Sequence, residues 1–391
     1  MKKIPAGMAT SAYVRQLNQR RIIESVVRHR RVSRAELARV SGMSQPTVSR
    51  IVDGLLAQRI LMEGQALGPS LLGDVQASVV SSGRPSIPIE LDRRHPRFMA
   101  IQVGVHKTRL AMVPVAIPEA DQWNQEFETP KDIAHWTKKL SAACSAFVAK
   151  GVKAVIVSLP GVIDESNGHV FLSPNLRWTE RDELSHCLKT LFEVPVLFVQ
   201  EIRALALGHL AIEPDAGDFL LVDSGTGVGA AAVEGGRLYT GPLPLSGEIG
   251  HIPVLDNRRV CGCGLTGCIE TLISRRGILA SAQENGDPPT WSALMNRLRE
   301  QELPKWLKVS FDAAAVAVAA ALNVLGLRQV ILTGCLAELP ITAIEYFGNA
   351  IRRDAMWARF GSIVCRAAPR HRLAGMVSVA IDRTLLVPLS H

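Results

Sequence analysis

No uninterrupted apolar run in this 391-residue chain reaches the roughly 18 positions that a membrane-spanning helix requires. The longest candidate, Ala313 to Leu327, is alanine-rich, contains Asn323 and is bounded by Asp312 and Arg328, which predicts a closely packed buried helix. The N-terminus is basic but lacks an apolar stretch followed by a small-residue cleavage site, so the chain is expected to work in the cytoplasm with no membrane partner. A disulfide framework is missing too. Cysteines number seven, an odd count, and three of them crowd into one segment, leaving Cys144, Cys187, Cys335 and Cys365 as expected plain thiols. Charge imbalance is absent from most of the chain: the last 294 residues hold 28 Lys and Arg against 29 Asp and Glu. The net charge of +8 therefore arises in the first 97 residues, where 16 basic residues face 7 acidic ones. A basic head on a neutral body points to a nucleic-acid-binding module joined to something else.

What is present in that head is a succession of short helical signals. Val14, Leu17, Ile22, Ile23, Val26 and Val27 recur at helical spacing among arginines, predicting a first amphipathic helix over Val14 to Val27. Ser33-Arg34-Ala35-Glu36 is a capping box, in which serine and glutamate satisfy each other's free backbone amides, and it starts a second helix running to about Val40. A turn at Ser41-Gly42-Met43 leads to Ser44, the predicted cap of a third helix with Pro46 in its first turn, where a missing amide hydrogen costs nothing. Val48, Ile51, Val52 and Leu55 form its inward stripe. Gln45, Thr47, Ser49 and Arg50 are left outside near its start, the arrangement of a helix-turn-helix whose second helix enters the major groove. Arg59 to Glu63 and Ser86 to Leu91 read as the two strands of a wing. Between them, residues 64–83 have no clear assignment, and Arg84, on the stiff Ser82-Gly83-Arg84-Pro85 corner, is expected to enter a minor groove.

Residues 247–270, GEIGHIPVLDNRRVCGCGLTGCIE, pack one histidine, three cysteines and two glutamates into one segment. His251, Cys261, Cys263 and Cys268 make a four-ligand set, with Gly262, Gly264 and Gly267 to let the backbone fold tightly, and this predicts a zinc site. Three thiolates and one imidazole complete a tetrahedron and leave no position for a reacting water, so the expected Zn2+ is structural. Glu248 and Glu270 flank the ligands without being needed by the metal.

From Phe98 onward, short apolar strands alternate with glycine turns and helices: Phe98 to Val105, Ala154 to Leu159, Val196 to Val199, Phe219 to Asp223 and Gln329 to Leu332 are predicted strands of an α/β body, in two lobes because almost 300 residues remain. The segments Leu159-Pro160-Gly161, Ser173-Pro174-Asn175-Leu176-Arg177-Trp178, Asp223-Ser224-Gly225-Thr226-Gly227-Val228-Gly229, GEIGH at 247–251 and CGCG…GCIE at 261–270 occur in the order and spacing of the ROK family of bacterial sugar kinases and sugar-responsive repressors. The chain resembles that family over nearly its whole length, and in particular its N-acetylglucosamine-repressor and xylose-repressor branch. The resemblance implies a winged helix-turn-helix (mainly α) over residues 1–92, followed over 93–391 by a two-lobed actin-like, RNase H-like α/β body. A lobe boundary near residue 210 and a C-terminal helix at about 374–388 returning to the first lobe complete that expectation. It also implies a sugar site at Asn175, Glu201, Glu248, His251 and Glu270: hydroxyls donate to carboxylates, and an imidazole held on zinc by one nitrogen aims the other at a hydroxyl.

Departures from the kinase pattern are equally specific. The family's phosphate loop, Asp-x-Gly-Gly-Thr, corresponds here to Gln102-Val103-Gly104-Val105-His106, and its catalytic Asn-Asp-Ala-Asn to Gln200-Glu201-Ile202-Arg203. Without the loop's carboxylate and second glycine, phosphoryl transfer loses the positioned metal and phosphate it depends on, so no catalytic residue is expected. Glu201 retains a carboxylate that could serve as a base, and Arg203 is a candidate for an anionic group on a ligand. The expected function is a repressor of carbohydrate genes controlled by a sugar or sugar phosphate, with double-stranded operator DNA as partner and a homodimer or homotetramer as assembly. The rival readings are an active sugar kinase with a DNA-binding appendage and a repressor controlled by a protein of sugar transport.

Overall fold

The computed structural model describes residues 11–65, 87–145, 151–241 and 247–386. The head is built from α1 (Ser11–His29), β1 (Val32–Ser33), α2 (Arg34–Ser41), α3 (Gln45–Ala57), β2 (Leu61–Glu63) and β3 (Pro88–Leu91). The capping box at α2 is formed, with the Ser33 side chain accepting from the Glu36 amide and Glu36 accepting from the Ser33 amide. Ser44 does stand at the start of α3, but its hydroxyl meets Thr47 Oγ1 at 2.9 Å and makes no hydrogen bond to the helix amides. The predicted cap is therefore displaced by a side-chain pair. The wing strands β2 and β3 pair antiparallel, Leu61 with Leu91, and β3 also pairs with β1.

The first lobe carries β4 (Phe98–Val103), β5 (Lys107–Val113), β6 (Gln125–Glu128), α4 (Ile133–Ser145), β7 (Ala154–Leu159), the hairpin β8 (Val162–Asp164) and β9 (His169–Leu172), α5 (Glu183–Leu191) and β10 (Val196–Gln200). Its five-stranded sheet has the order β10-β7-β4-β5-β6, with β7 parallel to both β4 and β10. Strand β4 ends at Val103, two residues before the expected end, because Gly104 turns the chain and its amide bonds the Lys107 carbonyl. Helix α6 (Glu201–Ile212) follows β10 directly and leads to the second lobe.

The second lobe holds β11 (Phe219–Ser224), β12 (Val228–Glu234), β13 (Arg237–Leu238), α7 (Glu270–Ile273), α8 (Arg275–Glu284), α9 (Trp291–Glu300), α10 (Lys305–Leu325), β14 (Gln329–Gly334), α11 (Ile341–Asp354) and β15 (Val364–Ala367). The sheet order is β13-β12-β11-β14-β15. The buried strands β4, β7, β11 and β14 read as mainly apolar runs, which makes them visible in the sequence. The final helix, α12 (Arg372–Leu385), leaves this lobe and packs on α6 and on β4, β7 and β10 of the first. Its apolar residues Met376, Val377 and Ile381 join a cluster that continues into Ile22, Val26 and Leu37 of the head.

Helix α10 differs from expectation. It starts eight residues earlier, and only one face is buried against the lobe; Val309, Val316 and Val324 on the other are 57%, 59% and 84% exposed. Alanine-rich composition marked the close approach of its neighbours on the inner side but carried no information about the outer one.

Candidate functional site

The Cys/His segment folds into a compact loop. Gly264 and Gly267 adopt φ of 97° and 89°, left-handed conformations that favour glycine, and Asn257 and Arg259 tie the loop to α7 and α8 through Thr271 and Ser281. One ligand atom from each of His251, Cys261, Cys263 and Cys268 lies within 4.8 Å of the others. Cys261 Sγ is 3.6 Å from His251 Nδ1, and Cys263 Sγ is 3.7 Å from Cys268 Sγ. An ideal tetrahedral ion with metal–sulfur bonds of about 2.3 Å sets its ligands roughly 3.8 Å apart, so donor set and spacing both fit a metal ion. Burial pushes the Cys261 thiol up to about 12 and raises that of Cys268, and a bound cation would reverse both shifts by displacing the protons.

His251 faces two ways. Its Nδ1 looks into the sulfur cluster, and its Nε2 lies 3.7 Å from Glu248 Oε2 in the cleft between the lobes. That cleft encloses about 360 Å³ and brings together Asn175, Glu201, Glu248, His251 and Glu270 from three separate stretches of chain. Burial raises the Glu248 carboxyl above its ordinary range, while its Oε1 accepts from Gln200 Nε2 at 3.3 Å. Glu270 is 4% exposed at the head of α7; one oxygen accepts from the Val228 amide at 3.0 Å and the other meets Cys261 Sγ at 3.5 Å. Asn175 comes from the first lobe and the Cys/His loop from the second. Arg177 joins them by donating to the Gly262 carbonyl at 3.0 Å.

The opposite end of the cleft is filled by arginines that the sequence did not bring forward. Arg370 makes a two-pronged ion pair with Asp223, Nε–Oδ1 2.6 Å and Nη2–Oδ2 2.8 Å, and also donates to the Ser224 carbonyl. Burial works against the Asp223 charge, yet the Arg370 pairing outweighs it and holds the carboxyl below its usual range. The guanidinium sits so close between two glycine turns that a Cβ on Gly225 would stand 2.7 Å from Nη2 and one on Gly334 would overlap it. Glu201 Oε1 receives both Gln102 Nε2 and Arg372 Nε at 2.9 Å, and Arg109 holds the other side of the Gln102 amide. The Glu201 carboxylate is thus tied on one oxygen to both the first lobe's sheet and the start of α12. Arg203 is corrected: it pairs with Glu165 at 3.3 Å, a residue also bound by Arg383, and does not line the cleft. Arg370 and Arg372 belong to no motif, and a Pro-Arg-His-Arg run before the last helix was the one available signal.

On the head, Val48, Ile51, Val52 and Leu55 are buried, while Gln45 and Arg50 are exposed and Thr47 and Ser49 half-buried along the other side of α3. Arg34 braces this helix by pairing with Asp53 at 2.7 Å and with Glu63 of the wing at 3.3 Å. Arg84 and most of the 64–83 stretch lie outside the described residues.

A winged helix-turn-helix set on a two-lobed actin-like body, with a Cys/His loop at the cleft, defines a class in which DNA-binding and ligand-binding units share one chain. The chain belongs to the ROK family, which it matches over residues 98–363, and residues 15–60 match a winged helix-turn-helix DNA-binding family. Among similar proteins, the xylose repressor of Bacillus subtilis (strain 168) is 25% identical over 301 residues, covering 74% of each chain. The DNA-binding transcriptional dual regulator NagC of Escherichia coli (strain K12) is 26% identical over 277 residues, 68% of this chain and 64% of that one. A solved ROK family transcriptional regulator, a homolog of the E. coli MLC protein, superposes with a TM-score of 0.72 at 18% identity, over 96% of this chain and 98% of that one. A ROK family glucokinase from Streptomyces griseus, solved with glucose and AMPPNP, gives 0.57 at 21% identity over 72% of this chain and 97% of that one. Repressors and kinases thus share the body fold.

Proposed function

We propose that this chain is a DNA-binding repressor of carbohydrate uptake or catabolism genes, controlled by a sugar or sugar phosphate held in a cleft that performs no phosphoryl transfer. Residues 1–92 form the DNA-binding unit and 93–391 the sensing and oligomerising unit, working in the cytoplasm as a homodimer or homotetramer. Gln45, Thr47, Ser49 and Arg50 face the major groove, where Gln reads adenine, Arg reads guanine and the hydroxyls secure phosphates. Arg84 enters the neighbouring minor groove. Asn175, Glu201, Glu248, His251 and Glu270 receive the sugar. The loop metal is Zn2+, bound by His251, Cys261, Cys263 and Cys268; it supplies no chemistry and fixes the imidazole so that Nε2 faces the ligand.

One observation carries the non-catalytic part of this reading. The glycine turns that would cradle a nucleotide's phosphates are already occupied by the Arg370 guanidinium, while the Glu248/His251 end of the same cleft keeps acceptors for hydroxyl groups. Relatives named as xylose and N-acetylglucosamine repressors support the choice of ligand class. The test is a thermal-shift panel of D-glucose, D-xylose, N-acetylglucosamine and the phosphates of each, together with ATP-consumption assays on the neutral sugars. A ligand of the folded state must raise its apparent stability. At least one member is expected to raise the melting temperature and none to be turned over; sugar-dependent ATP consumption would assign kinase activity instead, and an empty panel would favour control by a protein partner.

A further inference from the structure

Helix α6 begins in the cleft and ends against the DNA-binding head. Glu201, its first residue, lines the cleft and is held by Gln102 and Arg372. Eleven residues later, about 16 Å along the axis, the helix stops at Ile212, where the last carbonyls have no partner within the helix. Two of them, those of Ala211 and Ile212, accept hydrogen bonds from Arg30 Nη2 at 3.1 and 2.7 Å. Arg30 lies just beyond α1, with φ of +59°. That left-handed position after a helix is ordinarily glycine's, so a side chain stands here against the backbone preference, and it supplies a cation suited to the negative end of the α6 dipole.

The helix cannot shift alone. Added Cβ atoms would overlap the His371 carbonyl at Gly208 and the Ala204 carbonyl at Gly375, so α6 and α12 meet backbone to backbone. Arg372, the first residue of α12, grips Glu201 at the cleft, and Asp121 accepts from the amides of Arg372 and Leu373 at the same helix start. Among the described residues the head is also joined to the body by the chain after β3, by hydrogen bonds from Arg97 Nη1 to the Gln58 carbonyl and from the Ala116 amide to the Asp92 carbonyl, both close to that connection, and by apolar contacts. Apolar contacts are non-directional and let one unit roll on another; hydrogen bonds clustered at the chain connection fix a pivot, and the Arg30 fork, which reaches the far end of α6, sets the angle about it.

We propose that Arg30 is the positioning residue that couples the cleft to the recognition helix. Resting on the sugar-responsive reading above, the inference is that a ligand competing for Glu201 or Arg372 displaces the paired starts of α6 and α12, and that the far end of α6 turns the head through Arg30. Head and ligand then influence each other reciprocally: the factor by which the sugar weakens DNA binding equals the factor by which DNA weakens sugar binding.

The test uses the full chain, a duplex selected by the parent protein from a randomised pool, and whichever sugar of the panel shifts its melting. Both coupling factors are measured for the parent, Arg30→Gly and Arg30→Lys. Glycine suits the left-handed backbone, so Arg30→Gly is expected to melt no lower than the parent. Its separate affinities for duplex and for sugar are expected to stay within about threefold of the parent's, while a parental coupling of roughly 5- to 150-fold falls below about twofold in both directions; Arg30→Lys is intermediate. Undiminished coupling in Arg30→Gly overturns the inference. So does loss of sugar-free DNA binding, which would assign Arg30 to a phosphate contact. If the parent's duplex affinity responds to no sugar, the functional reading fails first and this one with it.

Discussion

His209, in the last turn of α6, is 1% exposed, lies edge-on to Phe219 with ring centroids 5.0 Å apart, and takes a hydrogen bond from Arg366 on Nε2 at 3.1 Å. Burial lowers its pKa to about 4, although Glu213 partly opposes the shift. In the unfolded chain the ring protonates near 6.5, so between roughly pH 6.5 and 4 the unfolded state binds a proton that the folded state refuses, and stability falls as pH falls. The contribution is intact above about 6.5. His209→Gln, whose carbonyl can still accept from Arg366, is expected to melt with a shallower pH dependence than the parent between pH 7 and 5; identical slopes would show that His209 does not govern it. A second residue-scale expectation concerns the Cys/His loop. Cys263→Ser removes one of four ligands and is expected to lose bound zinc, measured by elemental analysis, together with the sugar response, while weak DNA binding by the head persists. The cluster was legible because its four donors lie within 18 residues of one another in the sequence, His251 to Cys268. Arg370 and Arg372 were not, because their carboxylate partners Asp223 and Glu201 lie 147 and 171 residues away and only the fold joins them.

At the scale of elements, glycine accounts for a contact that hydrophobic pattern does not announce. Gly208 and Gly375 let α6 and α12 touch along their backbones, and an alanine at either position must push the helices apart. Overpacking of this kind costs about 1–3 kcal/mol, sometimes more. Gly208→Ala and Gly375→Ala are expected to lower the melting temperature, whereas Gly286→Ala, with open space around its Cβ but a positive φ, loses only the backbone share. Equal effects at all three positions would deny the helix contact its special cost. Element boundaries followed from local chemistry where that chemistry was self-contained, as in the Ser33/Glu36 box and the Pro46 start of α3. At Ser44 the boundary held but the hydroxyl pairs with Thr47, and a boundary slipped at α10, which starts eight residues before the expected Ala313.

For the whole molecule, the division of charge written along the chain persists in space, with a basic head on a body whose charges balance. DNA affinity is therefore expected to depend steeply on salt: a protein that neutralises about six phosphates loses about a thousandfold between 50 and 200 mM. Fluorescence anisotropy with the selected duplex measures the slope, and Arg50→Ala is expected to weaken specific binding by about 1–3 kcal/mol if it reads a base, with little change of slope. A flat salt dependence would count against operator binding by the head. Two lobes, a cleft between them and a winged head were legible from strand rhythm and ordered motifs. How the head is seated was not, because Arg30, Arg97 and the apolar side of α12 meet partners far away in sequence.

The guanidinium between Gly225 and Gly334 also bears on engineering. On the reading proposed above, restoring Asp-x-Gly-Gly-Thr at residues 102–106 and Asn-Asp-Ala-Asn at 200–203 would still leave the Arg370 guanidinium clasped by Asp223 and abutted by both glycine turns, where a nucleotide's phosphates would have to go. Any engineered route to phosphate transfer has to pass first through position 370. Under the proposed function, the clasp acts as a lock: it closes one end of the cleft to phosphate while the Glu248/His251 end stays open to hydroxyl groups.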